Sequence, residues 1–132
     1  MEAPIHPEAL AQALASACAD TKATDITILD MRGLVDYTDT FVLCSGRSGR
    51  QVNAIADAVR SVAKADLDLL PLGVEGQETG KWVLVDFGDC VVHIFEASMR
   101  GFYDLDGLWA DAPRFEAPAD EDDETAEEPR FF

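Results

Sequence analysis

Apolar and polar positions alternate most regularly in Lys81–Phe95, KWVLVDFGDCVVHIF, where two β-rich runs flank Gly88-Asp89. A Gly-Asp pair between alternating runs is a two-residue hairpin signal. With that pair as the turn, Phe87 faces Cys90 and Trp82 faces Phe95. Side chains alternate across a strand. One face therefore carries Val83, Val85, Phe87, Cys90, Val92 and Ile94, all apolar, and belongs against a core. The other carries Trp82, Leu84, Asp86, Val91, His93 and Phe95. An apolar patch mixed with polar groups marks a docking surface more often than a solvated face. The competing expectation is that a helix or a subunit partner covers this face and Trp82 is core.

The rest of the chain alternates helix and strand patterns. Pro7 to about Lys22 is Ala-rich, with Leu10, Ala13, Leu14, Ala17 and Cys18 on one stripe, which predicts an amphipathic helix with Pro at its start. Asp25–Met31 reads as a strand, Asp36–Thr40 as a loop and the wholly apolar Phe41–Cys44 as a central strand. Ser48, with Gln51 three residues on, has capping-box spacing. Val52, Ile55, Ala56, Val59, Val62 and Ala63 follow at helical spacing, and Leu67–Pro71 ends that helix. Residues 73–80 are turn-rich, with at most one short strand. Ser98 to about Ala110 predicts a last helix through Phe102, Leu105 and Leu108 or Trp109, weakened by Gly101 and Gly107. The order α-β-β-α-β-β-α gives one α/β (α+β) domain, a mixed sheet with helices packed on it. Residues 1–6 form an extension, 7–114 the domain and 115–132 an acidic tail without periodicity that should be disordered.

Charge narrows the partners. The 132 residues carry a formal net charge of −16. Glu116–Phe132 holds eight acids and one Arg, so the body keeps eighteen acids against nine bases. Such a surface repels phosphate backbones, and little direct nucleic-acid binding is expected. Cys18, Cys44 and Cys90 are widely spaced, without CxxC, and predict buried thiols in a reducing cytoplasm. MEAPIHPEAL lacks the basic and apolar regions of a signal peptide, and no apolar run approaches the ~18 residues of a membrane helix.

The candidate chemistry is thin. Asp86-Phe87-Gly88 spells a kinase magnesium motif without the Gly-rich loop or His-Arg-Asp that kinases need, and turn chemistry accounts for it. Asp86 and His93 are diagonal neighbours, half of a catalytic arrangement with no nucleophile on their face. Two histidines and scattered cysteines assemble no metal site, and no cofactor is implied. Ser45-Gly-Arg-Ser-Gly-Arg50 runs from strand to helix N-terminus, where Ser45, Arg47 and Arg50 are a weak anion-site candidate without a phosphate-loop motif. A Ser-Gly turn here is shared with nucleotidyltransferases, but the carboxylates such enzymes carry on a nearby strand are missing; only Asp57 follows, inside the helix.

Six stretches taken together resemble the Iojap family, the bacterial ribosomal silencing factor S. They are Asp25–Asp30, Thr38–Phe41, Arg50–Asp57, Val74–Gly76, Trp82–Phe95 and Phe102–Trp109, within residues 8–114. The resemblance implies a nucleotidyltransferase-like fold without catalytic carboxylates. It implies docking on the large ribosomal subunit through that subunit's fourteenth-numbered ribosomal protein, a block of subunit joining and damped translation. It also implies homodimers when free, and a contact surface that includes the tryptophan matching Trp82.

The expected activity is therefore non-enzymatic. Trp82 is the anchor, Leu84 and Val91 its apolar surround, and Asp86 and Asp89 carboxylates for a basic partner. The alternative is a nucleotide-binding or residual nucleotidyltransferase-like enzyme using Ser45–Arg50.

Overall fold

The computed structural model describes residues 6–119. Residues 1–5 and 120–132, including most of the tail expected to be disordered, lie outside the described residues. The elements are α1 (Pro7–Asp20), β1 (Thr24–Asp30), β2 (Thr40–Gly46), α2 (Gly49–Leu67), β3 (Gly73–Glu75), β4 (Trp82–Asp86), β5 (Cys90–Glu96), α3 (Ala97–Tyr103), α4 (Leu105–Leu108) and β6 (Arg114–Phe115). The strands form one six-stranded mixed sheet in the order β3-β4-β5-β2-β1-β6. β2 and β5 run parallel and every other pairing is antiparallel.

The hairpin has the register its sequence dictates. Trp82 pairs with Phe95, Leu84 with His93 and Asp86 with Val91, and the Phe87 amide donates to the Cys90 carbonyl at 2.9 Å. Gly88 has φ +86° and Asp89 no positive φ, and the Asp89 amide donates back to the Phe87 carbonyl at 3.1 Å, so the turn tightens on the glycine. Asp86 stabilises the turn by accepting from the Gly88 amide at 2.8 Å.

α1 and α2 cover one face of the sheet and build the main core with Val83, Val85, Phe87, Cys90, Val92 and Ile94. α2 buries Val52, Ile55, Ala56, Val59 and Ala63, while Val62 packs on the core half-buried. Ser48 caps α2 by accepting from the Gln51 amide at 3.2 Å. The Gln51 side chain accepts from Arg47 rather than from Ser48, so the capping box closes one residue early. On α1 the buried set also includes Ala11, Ala15 and Ala19, whereas Ala13 is only half-buried. Small residues on two sides let α1 pack against both the sheet and α2.

Two expectations about the C-terminal part are corrected. The single helix from Ser98 to Ala110 is two short ones, separated by Asp104 in the left-handed conformation at φ 51°. Asp104 caps α4 by accepting from the Gly107 amide at 3.0 Å, and it is this cap, not Gly101 or Gly107, that breaks the helix. Residues 114–119 do not leave the body as tail. Arg114 and Phe115 pair with Leu29 and Ile28 as an edge strand.

Candidate docking surface

The second sheet face carries Leu29 on β1, Phe41 and Leu43 on β2, Val91, His93 and Phe95 on β5, and Trp82, Leu84 and Asp86 on β4. Glu75 on β3 joins them, because it pairs with Leu84 and paired residues share a face. α4, Trp109 and the segment around Met31 and Val35 cover only the β1–β2–β5 part, forming a smaller core. Over β4 and β3 the face is only partly covered, with Tyr103 of α3 reaching no further than the Trp82 ring among the ring contacts of the described residues. Trp82, Leu84 and Asp86 are half-buried and Glu75 is exposed. The mixed face is thus half core and half open, with Trp82 on the boundary.

Trp82 is held rigidly there. Its ring stacks on Phe95 at 5.2 Å and lies 4.6 Å from Tyr103. Its Nε1–H donates to His93 Nδ1 at 3.2 Å. Indole nitrogen is a donor only, so His93 Nδ1 must be the bare nitrogen and Nε2 carries the proton. Among the described residues, buried Nε2 has no hydrogen-bond partner. Burial pushes the His93 pKa down to about 4, so the ring is neutral at physiological pH. His93 is a structural partner of Trp82. It lies diagonal to Asp86, whose Oδ1 is engaged by the turn.

Val91, expected beside Trp82 as apolar surround, is 4% exposed and lies in the smaller core. It lies beside the strip on the same face, paired with Asp86, but within the covered core. Asp89 is exposed at the hairpin tip, with its carbonyl accepting from Asp39 and Thr40. Phe102 and Tyr103, 76% and 40% exposed, extend the aromatic surface at the Trp82 end. Tyr37 stands at the other end, 60% exposed, its hydroxyl pKa raised by partial burial and by the charges of Asp36 and Asp86.

Sequence reading missed the aromatic extension because Phe102 lay on an assumed helical stripe. An Asp three residues before Gly107 was the available sign of a new helix start. It also missed Arg100, which holds α3 and α4 to the sheet. Its guanidinium donates to both Asp106 carboxylate oxygens (2.8 and 3.0 Å), the Asp25 carbonyl (2.8 Å), Ser45 Oγ (3.1 Å) and Thr27 Oγ1 (3.3 Å). These bonds hold the Asp106 carboxyl below the usual carboxylate range.

The anion-site candidate fares differently. Arg47 and Arg50 are exposed but Ser45 is 1% exposed, its hydroxyl accepting from Arg100. The Arg47 and Gln51 amides are both bonded internally. Thr79 and Gly80 lie across Gly49, so close that a Cβ on Gly80 would sit 2.7 Å from the Gly49 Cα. The thiols of Cys18, Cys44 and Cys90 are buried. The Cys18 pKa is raised by contact with Cys44 and by burial, and burial pushes Cys90 to about 12. No group of three metal-binding side chains occurs among the described residues, and none of their helices is long and apolar enough to cross a membrane.

Fold and surface together describe a small α/β protein with an open, acidic and aromatic strip at one end of its sheet. Comparison with known proteins gives the family and the fold. Residues 4–131 match the family described as ribosomal silencing factor during starvation, and the chain belongs to that family. It is 39% identical over 109 residues to ribosomal silencing factor RsfS of Bacillus subtilis, covering 83% of this chain and 92% of that one. It is 36% identical over 110 residues to the chloroplastic protein Iojap of Zea mays, covering 83% of this chain and 47% of that one. A crystal structure from Chromobacterium violaceum superposes with a TM-score of 0.77 at 32% identity, covering 89% of this chain and 98% of that one. A second, from Bacillus halodurans, gives 0.73 at 38% identity over 83% and 98%.

Proposed function

We propose that this chain silences ribosomes by docking on the large subunit, without catalysis, and blocking its union with the small subunit. The observation that carries the reading is the open strip of Trp82, Leu84, Asp86 and Glu75. It joins a rigid aromatic anchor to carboxylates on a body with twice as many acids as bases. A basic ribosomal protein is the matching partner, and the family resemblance directs attention to the fourteenth-numbered one of the large subunit. Burying an aromatic anchor among apolar and charged neighbours suits specific, reversible association. The names of the relatives, silencing factors rather than enzymes, support the same reading. The action belongs in the cytoplasm, where subunits assemble. Free protein pairs as a homodimer and exchanges its partner copy for the ribosome.

Sucrose-gradient sedimentation of cell lysate tests this. The protein is expected with free large subunits and not with joined ribosomes. Recovery only at the top of a low-salt gradient would overturn it.

A further inference from the structure

A cleft of about 200 Å³ opens beside Trp82, lined by Glu75, Gly76, Trp82 and Leu84. Small-molecule pockets run to ~300–1,000 Å³, so this one is sized for a single side chain. Its shape follows from the backbone. Gly76 has φ +91°, and a Cβ there would fall 2.0 Å from the Trp82 carbonyl oxygen. The Gly76 backbone therefore passes directly against the Trp82 main chain, and Glu75, Trp82 and Leu84 stand around the cleft beside it.

The chemistry of the walls is specific. Trp82 and Leu84 give an apolar, aromatic side, and Glu75 gives a carboxylate. Among the described residues the Glu75 carboxylate has no ion-pair or hydrogen-bond partner. An exposed carboxylate beside an indole suits a cation that is flat, weakly hydrated and forked: a guanidinium lies along an aromatic ring while its N–H groups meet a carboxylate, and an ammonium does this less well. A phosphate or carboxylate ligand would meet Glu75 with repulsion. The acidic body draws basic partners towards the same place.

We propose that this cleft is the seat of one arginine side chain of the docked partner protein, with Trp82 as its wall and Glu75 as its counter-charge. The inference rests on the docking reading for the partner's identity, but the seat has its own chemistry and its own test. One arm uses the indole N–H resonance of Trp82 in the intact protein, titrated with N-acetyl-argininamide, N-acetyl-lysinamide and the neutral N-acetyl-citrullinamide. A saturable shift is expected with the arginine compound, weaker with lysine, absent with citrulline, and lost in Glu75→Gln. Equal response to arginine and citrulline, or an unchanged response in Glu75→Gln, overturns the seat. The other arm measures binding to purified large subunits. Glu75→Gln is expected to weaken it about tenfold at low salt, the scale of one charge-assisted contact, with the ratio to wild type shrinking as salt rises. Wild-type binding that Glu75→Gln leaves within twofold counts against the seat alone. No wild-type binding, alongside a saturable arginine shift, counts against the docking reading alone.

Discussion

Replacing Arg100 with methionine removes a guanidinium that makes five hydrogen bonds while keeping most of its apolar stem. The Arg100 side chain is 13% exposed and its Asp106 partner 33%. Removing one member of a fully buried pair destabilises by ~3–5 kcal/mol. Asp106 keeps access to water, so the loss is discounted to just below that range, about 2–3 kcal/mol. For a domain of this size, at roughly 4 °C per kcal/mol, that lowers Tm by about 8–12 °C. Urea and thermal unfolding followed by circular dichroism measure it. Arg100→Lys, with charge but no fork, should fall between wild type and methionine. Arg100→Met with Asp106→Leu should recover more than half the loss, because no unpaired charge remains. The folded Asp106 carboxyl titrates below its unfolded value. Its contribution is therefore present above the ordinary carboxylate range and lost as pH falls through the lower, folded pKa; Arg100→Met should lose that dependence. An Arg100→Met variant within about 0.5 kcal/mol of wild type, the scale of an ordinary surface substitution, would refute the reasoning that this side chain clasps α3 and α4 to the sheet.

Three further outcomes concern two kinds of buried side chain and one close backbone approach. His93 titrates near 4 when folded against an ordinary 6.5, so the unfolded chain binds the extra proton between those values. Stability should fall by about 2 kcal/mol from pH 7 to pH 5 relative to His93→Gln, read from urea midpoints, and a parallel pair of curves would contradict it. Gly76→Ala combines a positive φ with a Cβ 2.0 Å from a carbonyl oxygen and should destabilise by at least ~2 kcal/mol in the same assay. The three buried thiols should resist a disulfide-exchange reagent in native buffer and react in full in denaturant; fast native labelling would contradict their burial.

The hairpin was legible because a period of two and a Gly-Asp turn leave one register that sends six apolar side chains to one face. α2 was legible because its stripe and cap agree. What covers the opposite face was not. Trp82, His93 and Phe95 read alike in sequence, yet β5 lies between β4 and β2 and packs with α4 and Trp109, while β4 has only the short β3 on its outer side. That neighbour order decides that Val91 is core and Leu84 half open. Glu75 joins the site solely through the β3–β4 register, which three residues of strand do not announce. β6 was hidden for the same reason: two residues carry no periodicity.

Binding of purified large subunits by wild type, Leu84→Asp and Trp82→Ala, each checked for its native melt, tests the docking strip most directly. Leu84 is half-buried at the centre of the strip, and a buried aromatic anchor contributes at least ~2 kcal/mol. The expected result is tight wild-type binding with both folded variants weakened by about 30-fold or more. Wild-type affinity retained by a folded Trp82→Ala and a folded Leu84→Asp would contradict the claim that this end of the sheet meets the ribosome.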